Sequence, residues 1–224
     1  MLKSGIDQDA IIDMFAQANA KGAEQLRKAV TDATLAGLKG RELSLKNIRG
    51  VLKTVAQAAS SGAARNVMPG VNAESLLDNA VAGMDAALLK AVQANRAALQ
   101  QLVNQGADLR EKQLKKALTD LDKLEDTFIG ALTQATGASG EQMSRAWGPV
   151  LEKMRAGGTL SGVQASTTAE QFMAQMQTAL RDGRASGLRA AQTLAESYTA
   201  LVSGVLVGMS DALEPGALSK PRRK

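Results

Sequence analysis

Asp120, Asp122, Glu125 and Asp126 form the densest carboxylate group in the chain. Oxygen ligands of this type suit a hard cation. The same stretch also carries Lys115, Lys116 and Lys123, and Glu111 precedes Lys115 by four residues. That is the spacing of an ion pair on a helix surface, so the group reads as a solvated face. Asp7, Asp9 and Asp13 lack the Gly and Glu of a calcium loop and read as charge at a helix start.

Other chemistry is excluded by composition. The chain has no His and no Cys. It therefore offers no imidazole base, no thiolate and no zinc knuckle. A di-iron bundle needs Glu-x-x-His, which cannot occur here. Gly137-Ala138-Ser139-Gly140 and Gly157-Gly158-Thr159 match neither a phosphate loop nor a dinucleotide fingerprint. The chain is predicted to be no enzyme and to hold no cofactor and no metal. Trp147 and Tyr198 can each anchor a partner. In a chain with one Trp, one Tyr and three Phe, they read more simply as core plugs.

Charge collects at one end. Of 27 basic residues, Lys220, Arg222, Arg223 and Lys224 stand after the last acid, Glu214. The rest of the chain is nearly neutral, so the pI near 9.6 describes a tail. The tail reads first as a solubilising terminus, and contact with nucleic acid or another acidic surface, the alternative, would run through it alone. No apolar run of signal-peptide type opens the sequence. The window Tyr198–Met209 is broken by Thr199, Ser203, Gly204 and Gly208. It falls short of the ~20 apolar residues of a bilayer span. A cytoplasmic chain without a transmembrane span is expected.

The elements that must position these residues are helices. The 224 residues include 40 Ala, the residue least costly to place in a helix, and few β-branched or aromatic strand formers. Apolar residues recur at steps of 3 and 4 in most of the chain. The pattern predicts helical segments over about 7–37, 43–66, 73–136, 140–156 and 168–213. They make one helical domain over 1–214, followed by a basic tail over 215–224. The four prolines are expected to punctuate rather than to lie inside helices. Residues 157–168, rich in Gly, Ser and Thr, are expected to form a loop. Leu88, Val92, Asn95, Leu99, Leu102, Gly106 and Leu109 form a heptad-like seam with one polar member. A continuous helix over 73–136 would be about 96 Å long at ~1.5 Å per residue. A kink or hairpin near Gly106 is the alternative. The fold class is all-α, an elongated bundle of long amphipathic, Ala-rich helices with coiled-coil-like seams.

Gly183, Gly187, Gly204 and Gly208 lie at four-residue spacing within 168–213. On a helix each pair shares a face, where a second helix can approach closely. The partner is either segment two of the same chain, through Leu99, Leu102 and Leu109, or another copy. The expectation is a homo-oligomer, most simply a twofold dimer.

Leu38-Lys39-Gly40-Arg41-Glu42-Leu43 with Ile48-Arg49-Gly50-Val51-Leu52, Gly83 to Ala91, Leu99 to Gly106 and Ser203 to Met209 resemble a bacterial Ala-rich helical family of unknown function. The Ala/Gln-rich helices with a basic tail also resemble phasins, which coat polyhydroxyalkanoate granules. That second resemblance is compositional. It implies a non-enzymatic protein that binds a hydrophobic granule surface or a helical partner. A nucleic-acid or nucleoid accessory role through the tail, and a self-associating helical scaffold, are the alternatives.

Overall fold

The steps of 3 and 4 become eight helices in the described part of the computed structural model. The structure describes residues 6–19, 22–39, 43–105, 112–137, 140–181, 198 and 201–206. The helices are α1 (Gln8–Gln17), α2 (Ala23–Leu38), α3 (Leu45–Arg65), α4 (Ala73–Asn104), α5 (Lys112–Asp122), α6 (Leu124–Thr136), α7 (Glu141–Gly157) and α8 (Leu160–Arg181). Residues 201–206 are also helical, and no strand occurs among the described residues. The protein is all-α.

Two helices carry the packing. α3 packs against α1, α2, α4 and α6, while α4 packs against α2, α3, α7 and α8. Their buried faces share one continuous apolar core. Leu88, Val92, Asn95, Leu99 and Leu102, the first five members of the heptad-like seam, are all buried. Local capping follows the sequence. Asp7 accepts the Ala10 N–H at 3.0 Å, Ser44 accepts Asn47 N–H at 3.4 Å and Asn72 accepts Ser75 N–H at 2.7 Å. Each satisfies a backbone donor that the helix start leaves without a partner.

Several expected boundaries are corrected. The segment 7–37 is two helices, because the backbone at Ala18 turns extended and α2 restarts at Gly22. The Asn66 side chain makes that break possible. Its Nδ2 donates to Phe15 O at 2.8 Å and Ala18 O at 2.9 Å, satisfying carbonyls at the α1 end from 48 residues and more away.

The continuous helix over 73–136 is also overturned. α4 ends in a turn at Gln105, whose N–H reaches Gln101 O and Leu102 O. At ~1.5 Å per residue its 32 residues span about 48 Å. The chain then folds back. Leu88 and Asn95 line the same small pocket as Asp120 and Leu124, so the α5–α6 junction lies beside the middle of α4 instead of extending it. α5 and α6 are parted by Lys123 alone.

Pro149 lies inside α7 instead of punctuating it. Its position is exposed, so water can serve the carbonyl that its missing N–H leaves free. The expected loop 157–168 shrinks to Gly158 and Thr159, and α8 begins at Leu160.

Among the described glycines, close helix approach falls at Gly83 and Gly62. A Cβ on Gly83 would stand 2.7 Å from Arg27 O and from Val30 Cβ, where α2 crosses α4. A Cβ on Gly62 would collide with Ile12 O, where α1 crosses α3. Gly204 is exposed, and among the described residues a Cβ there would meet nothing within 4 Å. Among the described residues, no helix therefore approaches Gly204 closely. Leu99 and Leu102 are buried without it. Gly183, Gly187, Gly208, Leu109 and the tail residues Lys220, Arg222, Arg223 and Lys224 lie outside the described residues.

Candidate functional site

The α7–α8 junction concentrates polar groups from three helices beside an apolar groove. Gly157-Gly158-Thr159 interrupts the helical pattern, and the reversal needs its glycine. Gly158 has φ +68 and ψ −175, a region that residues with a Cβ avoid. The next backbone donors would be unsatisfied in an isolated helix start. Here each finds an oxygen. Thr159 N–H donates to Glu125 Oε1 of α6 at 2.7 Å. Leu160 N–H donates to Asp85 Oδ2 of α4 at 3.1 Å, and Ser161 N–H to Asp85 Oδ1 at 2.9 Å. Gly162 N–H donates to the Thr159 hydroxyl at 2.9 Å.

Carboxylates at a helix N-terminus also complement its partial positive charge. Asp85 and Glu125 thus brace the first turn of α8 against α4 and α6. Both work as acceptors from backbone N–H groups.

The braced turn forms one wall of an open groove with a volume of about 250 Å³. Val81 of α4, Val150 and Met154 of α7, and Leu160 and Val163 of α8 supply its apolar lining. Leu160 is 70% exposed and Val163 62% exposed. Lys153 and Asp78 form an ion pair of 3.2 Å at the rim, joining α7 to α4.

The acidic group singled out in the sequence is divided by the fold. Glu125 joins the α8 start. Asp120 pairs with Lys116 at 2.6 Å, while Asp122 and Asp126 are exposed. Asp120 also lines the small pocket with Asn95, Ile48 and Leu88, which has room for about one water molecule. Nearby, the Tyr198 hydroxyl donates to Asn95 Oδ1. Burial pushes the Tyr198 hydroxyl well above the usual phenol range, and the Asp120 charge adds in the same direction.

Trp147 is a core plug. It is fully buried, and its Nε1–H donates to Ser60 Oγ at 2.9 Å. Ser60 in turn donates to Ala56 O at 2.8 Å.

A family model matches residues 1–215, nearly the whole chain. The chain belongs to DUF6781, a family of unknown function. No curated protein and no solved structure matches this DUF6781 chain. Among its described residues, no helix is long and apolar enough to cross a membrane.

Sequence reasoning passed over Asp85, Glu125 as a cap, Ser60 and Asn66. The glycine pair at 157–158 was a visible signal for a junction. The carboxylates that complete it stand 34 and 75 residues away, beyond any local pattern.

Proposed function

We propose that this DUF6781 protein is a non-catalytic helical interaction protein that contacts an apolar surface through the α7–α8 groove. The exposure of Leu160 and Val163 on a turn held by Asp85 and Glu125 carries this reading. Removing such side chains from water stabilises a complex by about 1.5–3 kcal/mol each when burial is complete. A pre-formed groove also spares the ordering cost that a loose segment would add on binding. The body of a polyhydroxyalkanoate granule is an apolar surface of the required kind, which makes a phasin-like coat the specific form of the proposal.

Sedimentation with purified granules tests it, with an inert protein as control. The wild-type chain is expected in the granule fraction. A Leu160→Asp, Val163→Asp double variant, with an unchanged thermal melt, is expected in the supernatant. Wild-type protein that stays in the supernatant removes the granule coat. Equal granule binding by the double variant removes the groove as the contact.

A further inference from the structure

The near-neutral charge of the chain before its tail hides one basic surface. Residues 43–73 hold no Asp and no Glu, the longest acid-free stretch of the sequence, and α3 fills most of it. On that helix Lys46, Arg49 and Lys53 are all exposed. Their steps of 3 and 4 put them on one face. Half-buried Gln57 and exposed Ser61 and Ala64 continue the same stripe towards the end of α3.

On α2, α5 and α7 an exposed cation pairs with a carboxylate four residues away on its own helix. The pairs are Lys28–Asp32, Lys116–Asp120 and Arg145–Glu141. α3 offers no such carboxylate. Among the described residues, Lys46, Arg49 and Lys53 take part in no ion pair and no hydrogen bond. Arg49 and Lys53 are also a like-charge pair at the spacing where such pairs destabilise a helix. The three side chains thus add nothing to the fold. Gly50 stands between them, and among the described residues a Cβ there would meet nothing within 4 Å. The floor of the stripe is low, so one anionic surface can meet all three cations.

We propose that the exposed face of α3 binds the phosphate backbone of duplex DNA without reading its sequence. The other residues of the stripe select this partner among acidic ones. A membrane-surface helix sets Trp, Phe or Leu beside its cations to enter the lipid. A protein interface is anchored by large side chains buried at its centre. Gly50, Gln57, Ser61 and Ala64 provide neither. A DNA duplex, with one charge per ~1.7 Å of axis, is held by cations alone through the counterions it releases. Lys46 and Lys53 stand about 10 Å apart along the helix axis. That is close to the ~12 Å width of the major groove, so a helix laid across it meets phosphates of both strands. Such contacts position a protein on the duplex and carry no sequence information.

The stripe lies on α3, whereas the apolar groove is built by α4, α7 and α8. This contact is therefore separate from the proposed granule coat and is tested apart from it.

Fluorescence anisotropy of a labelled mixed-sequence DNA duplex, titrated with the full chain at several salt concentrations, tests the proposal. The wild type is expected to bind, with affinity falling as salt rises. Lys46→Gln with Arg49→Gln and Lys53→Gln is expected to weaken binding about ten-fold or more at low salt. It should also lower the slope of log K against log salt by about 2–3, since each phosphate contact contributes ~0.9. Its melt should match that of the wild type. Wild-type protein that does not bind the duplex overturns the proposal. So does a triple variant with wild-type affinity and slope, which would assign the contact to the basic tail. Vesicles of phosphatidylglycerol and phosphatidylcholine are the rival surface. Wild-type binding to them under conditions where the duplex is not bound gives the stripe to lipid and overturns the proposal as well.

Discussion

Glu125 on α6 accepts the backbone N–H of Thr159 at 2.7 Å, so a carboxylate 34 residues earlier in the chain caps the start of α8. Asp85 on α4 completes the cap from 75 residues away. The two side chains tie three helices at one point. They are also why a Gly/Ser/Thr-rich stretch holds a helix there.

Asp85→Ala should therefore cost about 1–3 kcal/mol, since it removes the acceptor of two backbone donors, and a lost cap typically costs ~1 kcal/mol. Urea denaturation measures the loss. Hydrogen exchange should show faster exchange at Leu160 and Ser161 than at the buried centre of α4. An Asp85→Ala protein as stable as the wild type would show that water replaces the cap at no cost.

Ser60→Ala leaves the indole N–H of Trp147 buried without its acceptor. A destabilisation of about 1–3 kcal/mol is expected. Trp147 is the chain's one tryptophan, so its fluorescence reports this site alone. The unfolding midpoint should fall while the native emission stays that of a buried indole. Ser60→Thr keeps the hydroxyl and should lose less through the hydrogen bond.

Tyr198 predicts a loss of stability in alkali. Its hydroxyl is raised in the folded protein, chiefly by burial, whereas the unfolded chain titrates near the usual ~10. Above that pH the unfolded state loses its proton first. The folded state then binds more protons than the unfolded state, and stability falls as pH rises. Below about 10 both states are protonated and the contribution is constant. Comparing wild type with Tyr198→Phe at pH 9 and pH 11 isolates the effect. The wild type should lose more stability over that interval. Equal slopes would remove Tyr198 as the cause.

Gly83→Ala places a methyl group against Arg27 O and Val30 Cβ, both 2.7 Å away. The first is backbone and cannot turn aside. The α2–α4 crossing must open, at a cost of about 1–3 kcal/mol. Gly204→Ala meets nothing within 4 Å among the described residues and should leave the melt unchanged or slightly raised. A melt series on the two variants compares the positions directly.

The all-α class is legible in the residues alone, because 40 alanines and apolar steps of 3 and 4 leave no strand pattern. The same steps also place α3 and α7 within two residues at each end, and the buried stripe Leu88, Val92, Asn95, Leu99 and Leu102. These are local properties. A helix face is set by residues three and four apart, and Ser44 and Asn72 cap donors three residues on.

Tertiary structure alone decided where the long periodic stretches break. A glycine in a helix costs only ~1 kcal/mol, so Gly106 by itself does not announce that α4 ends at Asn104. The folded-back packing of α5 and α6 outweighs that small preference. The same holds for α8. Its first turn looks like a loop because its caps come from Asp85 and Glu125, and hydrogen bonds across 34 and 75 residues leave no periodic trace. The candidate site was therefore visible as a glycine pair. Its carboxylate brace and apolar groove exist only once α4, α6, α7 and α8 are packed together.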